Sequence, residues 1–564
     1  MFIRTIKSKG TGRHYVYKAE SYRGADGVNR QRLLERIGIL EEMEVEDPGV
    51  MGRLRAEAAR ANAERQARIV NVPADLDAPN DGLPPVNVGC QIAAAVLGQL
   101  GAVQAVRAAT PGARVDAAKA FRLLVVGHIV FAGSKLRTIR RQGELFGVPG
   151  MSQDSVYRAL KHIGRAQAEV QDAVHRNVTG KWGREATLAF YDVTNYHFTS
   201  DTEMSPRRKG CSKQHQTTPI VQMGLFMDSA GIPICYKLFD GNIPDCVTLE
   251  PILAEVKARF GLDRIVVVGD KAMNSQHNTY TLAQAGDGWI FYKSARGASK
   301  KAKKWLVDPA GWVTDPATGV RTKSKTEPRV VRDHDGNSRT VTEKIVARYS
   351  PVYAARDAHV RAKMAAKAEA MIKDPASWRA SNKKGSKKYV REVKVDPSTG
   401  EIADADAPTL VLDQERLARD AELDGLYMVC TSETSLTDQE VSAKYHELWQ
   451  IEENFRVSKT DLKARPVFVW TAESIEAHFL ICFTALAVVR VLERATGGQM
   501  CPAGVLEAVR STQAVSVGGG LFKMIRDGRV SELEEALGAE PFDRNWATIA
   551  AIRAHGRALT RAAK

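Results

Sequence analysis

The chain has 564 residues, 44% of them hydrophobic, with a formal net charge of +15 and a pI near 9.4. That length exceeds one ordinary domain and implies roughly two to four structural units, with enough apolar content for real cores. The basic excess favours a polyanionic partner, of which nucleic acid is the commonest, and the seven scattered cysteines, without a CxxC pair, argue against a disulfide framework and a structural zinc site.

The first residues, MFIRTIKSKG, lack the apolar core of a signal peptide, and the expected location is the cytoplasm, with the nucleoid. Residues 3–22 alternate as a strand does, and a GADG turn follows, so residues 1–75 are expected to hold a small basic hairpin and a helix. Residues 76–180 read as a helical DNA-binding region. Apolar helical patterns run over 88–108 and 114–130. In SKLRTIRRQGELFGVPGMSQDSVYRALKHIG, two short helices flank a Gly-Val-Pro-Gly turn, with Ser152 or Asp154 to cap the second. A helix-turn-helix, with Arg137, Arg140 and Arg141 near a phosphate backbone, and an ordinary helical hairpin with solvated charges are both open.

From residue 186 the order of elements becomes informative. ATLAFYDVTNYHF reads as a strand, VQMGLFMD and IPICYKLF as a hairpin, CVTLEPILAEVKARFG as an amphipathic helix and RIVVVGD as a short buried strand. This order matches the first half of a ribonuclease-H-like α/β fold. A helix near 277–286 and a strand WIFYKSA follow, closing a first catalytic segment over 181–297. Residues 298–424, with KKAKKW, RTKSK, a DHDGN turn and a charged helix near 355–373, are basic and turn-rich. They are expected to form a β-rich insertion and not to continue the core. The second catalytic segment is expected over 425–494 and a helical C-terminal region over 495–564. The apolar stretch Ala477 to Val489 is too short to span a bilayer and reads as a buried helix.

Asp192 lies in the first of these strands and Asp270 at the end of RIVVVGD. A single Asp at a strand end is most often a turn residue. Two on strands that lie side by side repel unless a divalent cation neutralises them, and another acidic ligand is then needed. In YHELWQIEENFRVSKTDLKARPV, Tyr445, Glu452 and Lys459 are spaced by seven. Seven steps of about 100° return to within roughly 20° of one helical face. Leu448, Ile451, Phe455 and Leu462 form the opposite, apolar stripe, which suits packing on a sheet. A solvated charged face is the alternative. Glu453 lies about 100° away and is the poorer candidate.

These residues resemble the DDE transposases of bacterial insertion sequences, in the insertion-sequence-four-like group whose last carboxylate sits in a Tyr-x2-Arg-x3-Glu-x6-Lys signature. Tyr445, Glu452 and Lys459 match it at its spacing, and Trp449 matches the aromatic that often follows the Arg. Leu448 stands in the Arg position and removes one expected phosphate contact. FYDVTNYHF, GLFMDSAGIPICYKLFDGN and VVVGDKAMNS resemble the family around the first two acids. The resemblance implies a two-metal, in-line phosphoryl transfer by Asp192, Asp270 and Glu452, with Mg²⁺ the expected ion and Mn²⁺ a substitute. Asp192 would bridge both ions, and water would free a 3′-hydroxyl at the transposon end for attack on target DNA. Tyr445, Lys459, Trp449 and Lys213 would hold DNA, and two chains would act in a paired-end complex. The basic insertion would clamp the transposon end. Trp305 or Trp312 would stack on an unpaired base or, the simpler reading, pack in a small sheet. A nuclease that cuts without joining, and a repressor derived from a transposase, are the rival readings.

Overall fold

The structure, a computed structural model, describes residues 1–23, 28–67, 84–185, 187–211, 217–381, 385–393, 409–518 and 520–562. The chain divides into two compact units, residues 1–82 with 517–519, and residues 83–516 with 520–564.

In the first unit β1 (Phe2–Lys7), β2 (His14–Arg23) and β3 (Asn29–Ile39) form an antiparallel sheet, followed by α1 (Leu40–Glu46) and α2 (Val50–Ala67). The expected hairpin is therefore a three-stranded sheet. Its first reversal lies at Ser8–Arg13, inside the span read as one strand, where Gly12 adopts φ +68°. The GADG turn lies outside the described residues.

The second unit begins with a short strand, β4 (Val86–Asn87), and a helical layer: α3 (Cys90–Gln99), α4 (Ala102–Ala109), α5 (Ala117–Phe131), α6 (Lys135–Arg141), α7 (Gln153–Arg165) and α8 (Gln167–Trp182). The Ser152 hydroxyl caps α7 by accepting from the Ser155 amide. The connection from α6 to α7 runs from Gln142 to Ser152, longer than the roughly 3–4 residues of a helix-turn-helix. The apolar face of α7 (Val156, Ala159, Leu160, Ile163) is buried, and Arg141 is bound to Glu144. The ordinary helical hairpin fits this arrangement better.

The chain continues through β5 (Leu188–His197), β6 (Ile220–Met227), β7 (Pro233–Asp240), α9 (Leu249–Phe260), β8 (Val266–Gly269), α10 (Gln276–Gln284), β9 (Gly288–Ser294), α11 (Lys300–Val307), β10 (Val313–Thr314), β11 (Arg321–Arg332) and β12 (Ser338–Tyr349). Then come α12 (Pro351–Lys373), α13 (Pro375–Ala380), the hairpin β13 (Val390–Val393) and β14 (Thr409–Leu412), α14 (Gln414–Ala421) and β15 (Leu426–Thr431). Among the described residues one nine-stranded sheet has the order β10-β11-β12-β15-β9-β8-β5-β6-β7. Strands β5, β8 and β9 are mutually parallel, and the other neighbours are antiparallel. Both faces of its centre are covered. Phe190, Tyr196 and Val268 enter one core, and Ala189, Tyr191 and Val267 enter the other. Double burial explains the uninterrupted apolar run of β8.

Residues 321–349 depart from the expected insertion, because β11 and β12 extend this same sheet through β15. Their charged residues concealed it. Lys323 is buried beneath its strand and donates to the carbonyls of Trp305 and Asp308. Glu343, also buried, accepts from Arg329 at 2.8 Å and from the Trp289 indole at 3.3 Å. Trp305 and Trp312 pack on this core, with the Lys323 ammonium 5.0 and 4.8 Å from their ring centres. The packing reading of both tryptophans is the observed one.

The second unit closes with α15 (Asp438–His446), α16 (Trp449–Arg456), α17 (Ala472–Ala495), α18 (Pro502–Ser511), β16 (Gln513–Ser516), β17 (Leu521–Ile525), α19 (Arg529–Ala536), β18 (Trp546–Thr548) and α20 (Ile549–Ala562). The C-terminal region is thus mixed, since β18, β17 and β16 pair in a small sheet with β4. Helix α17 extends beyond the expected apolar stretch at both ends. By length and hydropathy it could cross a bilayer, but 94% of its most apolar window is buried inside the protein. It is the central core helix, packed on α5, α7 and β7. At roughly 1.5–3 kcal/mol for each fully buried large apolar side chain, residues such as Phe479, Leu480 and Phe483 make it a principal stabiliser.

Candidate active site

Two carboxylates come from neighbouring strand positions, Asp192 within β5 and Asp270 directly after β8. The parallel register pairs Leu188 with Val266 and Phe190 with Val268, and continued two residues, past the end of β8, it brings Asp270 level with Asp192. Strand neighbours lie about 4.8 Å apart. Both side chains point to the face that α16 and α17 cover, because Phe190, Tyr196 and Val268, of the same parity, enter that core. The register of β8 with β9 carries the level on to Tyr292. Both acids are half-buried. Asp192 Oδ1 accepts from the Val193 amide at 2.7 Å, and Asp270 Oδ1 accepts from the Ala272 amide at 2.7 Å. The second contact is the turn role expected of an Asp at a strand end, and Asp270 performs it with one of its two carboxylate oxygens.

The helical side is less regular than its spacing suggests. Thr437 and Glu440 form a complete capping box at the start of α15. The backbone then tightens: the amides of Leu448, Gln450 and Ile451 each bond three residues back. After α16 the chain widens into a π-helical turn, Val457–Asp461. One regular helix through Tyr445, Glu452 and Lys459 is therefore corrected to two short helices and a π turn. The tight and wide turns offset each other, and all three side chains still meet the same face of the sheet. Helix α15 packs on β8, β9 and β15, and α16 packs on β5.

Tyr445 lies tilted against Tyr292, with ring centres 6.1 Å apart. Burial pushes its hydroxyl pKa up, and the charges of Asp270 and Glu452 add to the effect after that of Tyr292, which places the phenol beside both acids. Lys459 donates to the Thr194 hydroxyl, two residues beyond Asp192 on the same face of β5, and its ammonium lies 5.1 Å from the Tyr196 ring centre. Glu452 is exposed and makes no side-chain hydrogen bond or ion pair among the described residues. Glu453 is bound by Arg456 at 2.7 Å and turns away. Among the described residues no three His, Cys, Asp or Glu side chains lie close enough together to hold a metal ion, so Glu452 does not close on the Asp pair. Lys213 lies outside the described residues.

Leu448 is buried on the core stripe, as its apolar character requires. Helix α16 is anchored by Asn454, which is fully buried, donates to the Gly231 carbonyl at 2.9 Å and accepts from Arg490 at 2.5 Å. Gly231 has φ +76°, the left-handed region that favours glycine at the β6–β7 turn beside α16.

Beside the acids lies a cleft of about 320 Å³ that includes Tyr292, Tyr427, Tyr445, Trp449, Glu452 and Arg348. Trp449 is 53% exposed. Tyr292 and Tyr427 stack at 6.2 Å, and the Arg348 Nε is buried without a hydrogen-bond partner. Sequence reading missed Tyr292, Tyr427 and Arg348. The alternation of WIFYKSA could have placed Tyr292 on the Asp270 face, but nothing local marks Arg348, which arrives from a strand 100 residues from Leu448 in the chain.

Among solved structures the chain is similar to the piggyBac transposase in its synaptic complex with hairpin DNA, at 9% identity and a TM-score of 0.36, over 78% of this chain and 76% of that one. No curated protein matches the sequence. The family model of the transposase DDE domain matches residues 186–488, more than half of the chain. The chain belongs to the DDE transposase-domain family.

Proposed function

We propose that this protein is a DNA transposase that binds transposon ends, cleaves DNA by metal-dependent hydrolysis and joins the freed 3′-hydroxyl to target DNA. The observation that carries this reading is the placement of Asp192 on β5 and Asp270 directly after the neighbouring parallel strand β8, with Tyr445, Glu452 and Lys459 brought to the same face. The order β7-β6-β5-β8-β9, antiparallel then parallel, with α9 between β7 and β8, supports a ribonuclease-H-like core.

The donor set consists of carboxylate oxygens, which suits a hard divalent cation such as Mg²⁺, with Mn²⁺ as a substitute. Asp192 and Asp270 would hold it on the sheet, and the unpaired Glu452 would supply the third carboxylate from α16. A pair of such ions supplies activation of the attacking oxygen and stabilisation of the leaving one. The remaining work falls to this chain's own groups. Lys459, held beside Asp192 by Thr194, offsets phosphate charge next to the scissile bond, and the Tyr445 hydroxyl donates to a phosphate oxygen. Arg348, with a buried unpartnered Nε in the cleft that Leu448 lines, provides the phosphate contact that Leu448 lacks. The working form is a homodimer in a paired-end complex.

The test is strand transfer from a 3′-hydroxyl oligonucleotide carrying the element's terminal repeat. Joined product is expected with wild type and absent with Glu452→Ala. Cleavage without joining would leave a nuclease only, and unchanged cleavage by Glu452→Ala would refute the site.

A further inference from the structure

A second cleft, of about 460 Å³, lies between α3, α4, α5 and α20, elements that carry none of the residues discussed above. Arg122 from α5 and Arg553 and Arg557 from α20 open into it, with the Thr560 hydroxyl on the same helix and no Asp or Glu in its lining. Its floor is apolar, with Leu97, Val103 and Phe146. Several arginines elsewhere in this unit are matched to acids, among them Arg184 to Asp228, Arg259 to Asp172 and Arg526 to Glu534. Arg122, Arg553 and Arg557 form no ion pair among the described residues.

Arg553 and Arg557 are one helical turn apart, so their charges repel each other and weaken α20. An apolar floor beneath them reduces screening and concentrates their field. The helix is nonetheless held close, since α20 packs on α3 with Gly556 against the Gln91 amide. Fork-shaped donors converging on a concave surface without carboxylates match the oxygens of a phosphate ester.

We propose that this cleft is an anion site for phosphate ester groups, separate from the carboxylate centre. The ligand is either the phosphodiester backbone of DNA or a free phosphorylated molecule. Only the DNA source rests on the function proposed above. The test uses the full-length protein in metal-free buffer, where failure of catalysis has no bearing. Arg553→Gln, Arg557→Gln and the double variant are exposed changes that relieve repulsion, so melting temperatures without added anion should stay level or rise. Inorganic pyrophosphate is expected to raise the wild-type melting temperature and not that of the double variant. With a linear DNA duplex, the slope of log affinity against log salt is expected to fall by about one unit for each arginine removed. Loss of the pyrophosphate response with an unchanged DNA slope assigns the cleft to a small phosphorylated ligand. Retention of both responses in the double variant overturns the proposal, as does an equal fall in slope for the exposed control Arg176→Gln on α8.

Discussion

The two halves of the candidate site are built by different means. Asp192 on β5 and Asp270 directly after β8 are carried by strands whose positions are set by ladder hydrogen bonds and by cores on both faces of the sheet. Glu452 stands on a short helix and Lys459 on the π turn after it, a segment broken by tight and wide turns that is fixed by its buried apolar stripe and by the Asn454 and Lys459 contacts. Many interactions determine the sheet half. The helical half places an exposed, unpaired carboxylate beside a half-buried pair, which leaves one acid able to respond to ligands.

That contrast can be broken at several points. The largest effect is expected from Asp192→Asn, Asp270→Asn or Glu452→Gln, each lowering DNA cleavage by at least about a hundredfold. Glu452→Gln should leave the melting temperature unchanged, since its carboxylate has no partner to lose, and a large drop would show that the helical half is as constrained as the sheet. Next comes the base of the sheet half. Arg184 and Asp228 are almost fully buried and pair at 2.9 Å beside the β6–β7 turn. Asp228→Asn leaves an uncompensated buried guanidinium and should cost about 3–5 kcal/mol in denaturant unfolding.

Glu476 tests the junction between the halves. It lies on α17, accepts from the Tyr236 hydroxyl of β7 at 2.6 Å, and burial pushes its pKa up to about 7. A carboxyl raised in the folded state favours folding fully below its unfolded pKa, and that contribution is lost as pH rises through about 7. Unfolding measured from pH 5 to 8 should therefore show wild type losing up to about 3 kcal/mol relative to Glu476→Gln. A difference that does not change with pH would place the group in water. A smaller cost, about 1–3 kcal/mol, is expected for Asn454→Ala, which leaves the buried Arg490 Nε without its acceptor and removes the tie from α16 to Gly231. If the halves differ as described, its cleavage rate should fall more than its stability. The smallest effect is expected from Arg348→Gln, about a tenfold loss of DNA affinity, with partial recovery in Leu448→Arg. No loss would mean that the helical half lacks a guanidinium partner altogether.

Much of this was legible in the residues themselves. The strand–hairpin–helix–strand order from 188 to 269, the burial of Leu448, Ile451 and Phe455, and the capping Ser152 follow from periods and caps that short segments carry. The seven-residue spacing of Tyr445, Glu452 and Lys459 likewise put them on one side, although the path between them is not one helix. What local pattern could not show is which distant segments share a surface. Charged β11 and β12 read as an insertion because Lys323 and Glu343 find their partners only once the sheet is assembled. The level of Asp192 with Asp270 depends on register between strands joined by a hairpin and a helix. The tyrosines and Arg348 of the cleft come from β9, β12, β15 and α15 and meet only in the folded chain. Sequence by itself determined the chemical groups and their local faces, because backbone geometry repeats every few residues. Tertiary structure decided their company, because register and packing are settled between segments far apart in the chain.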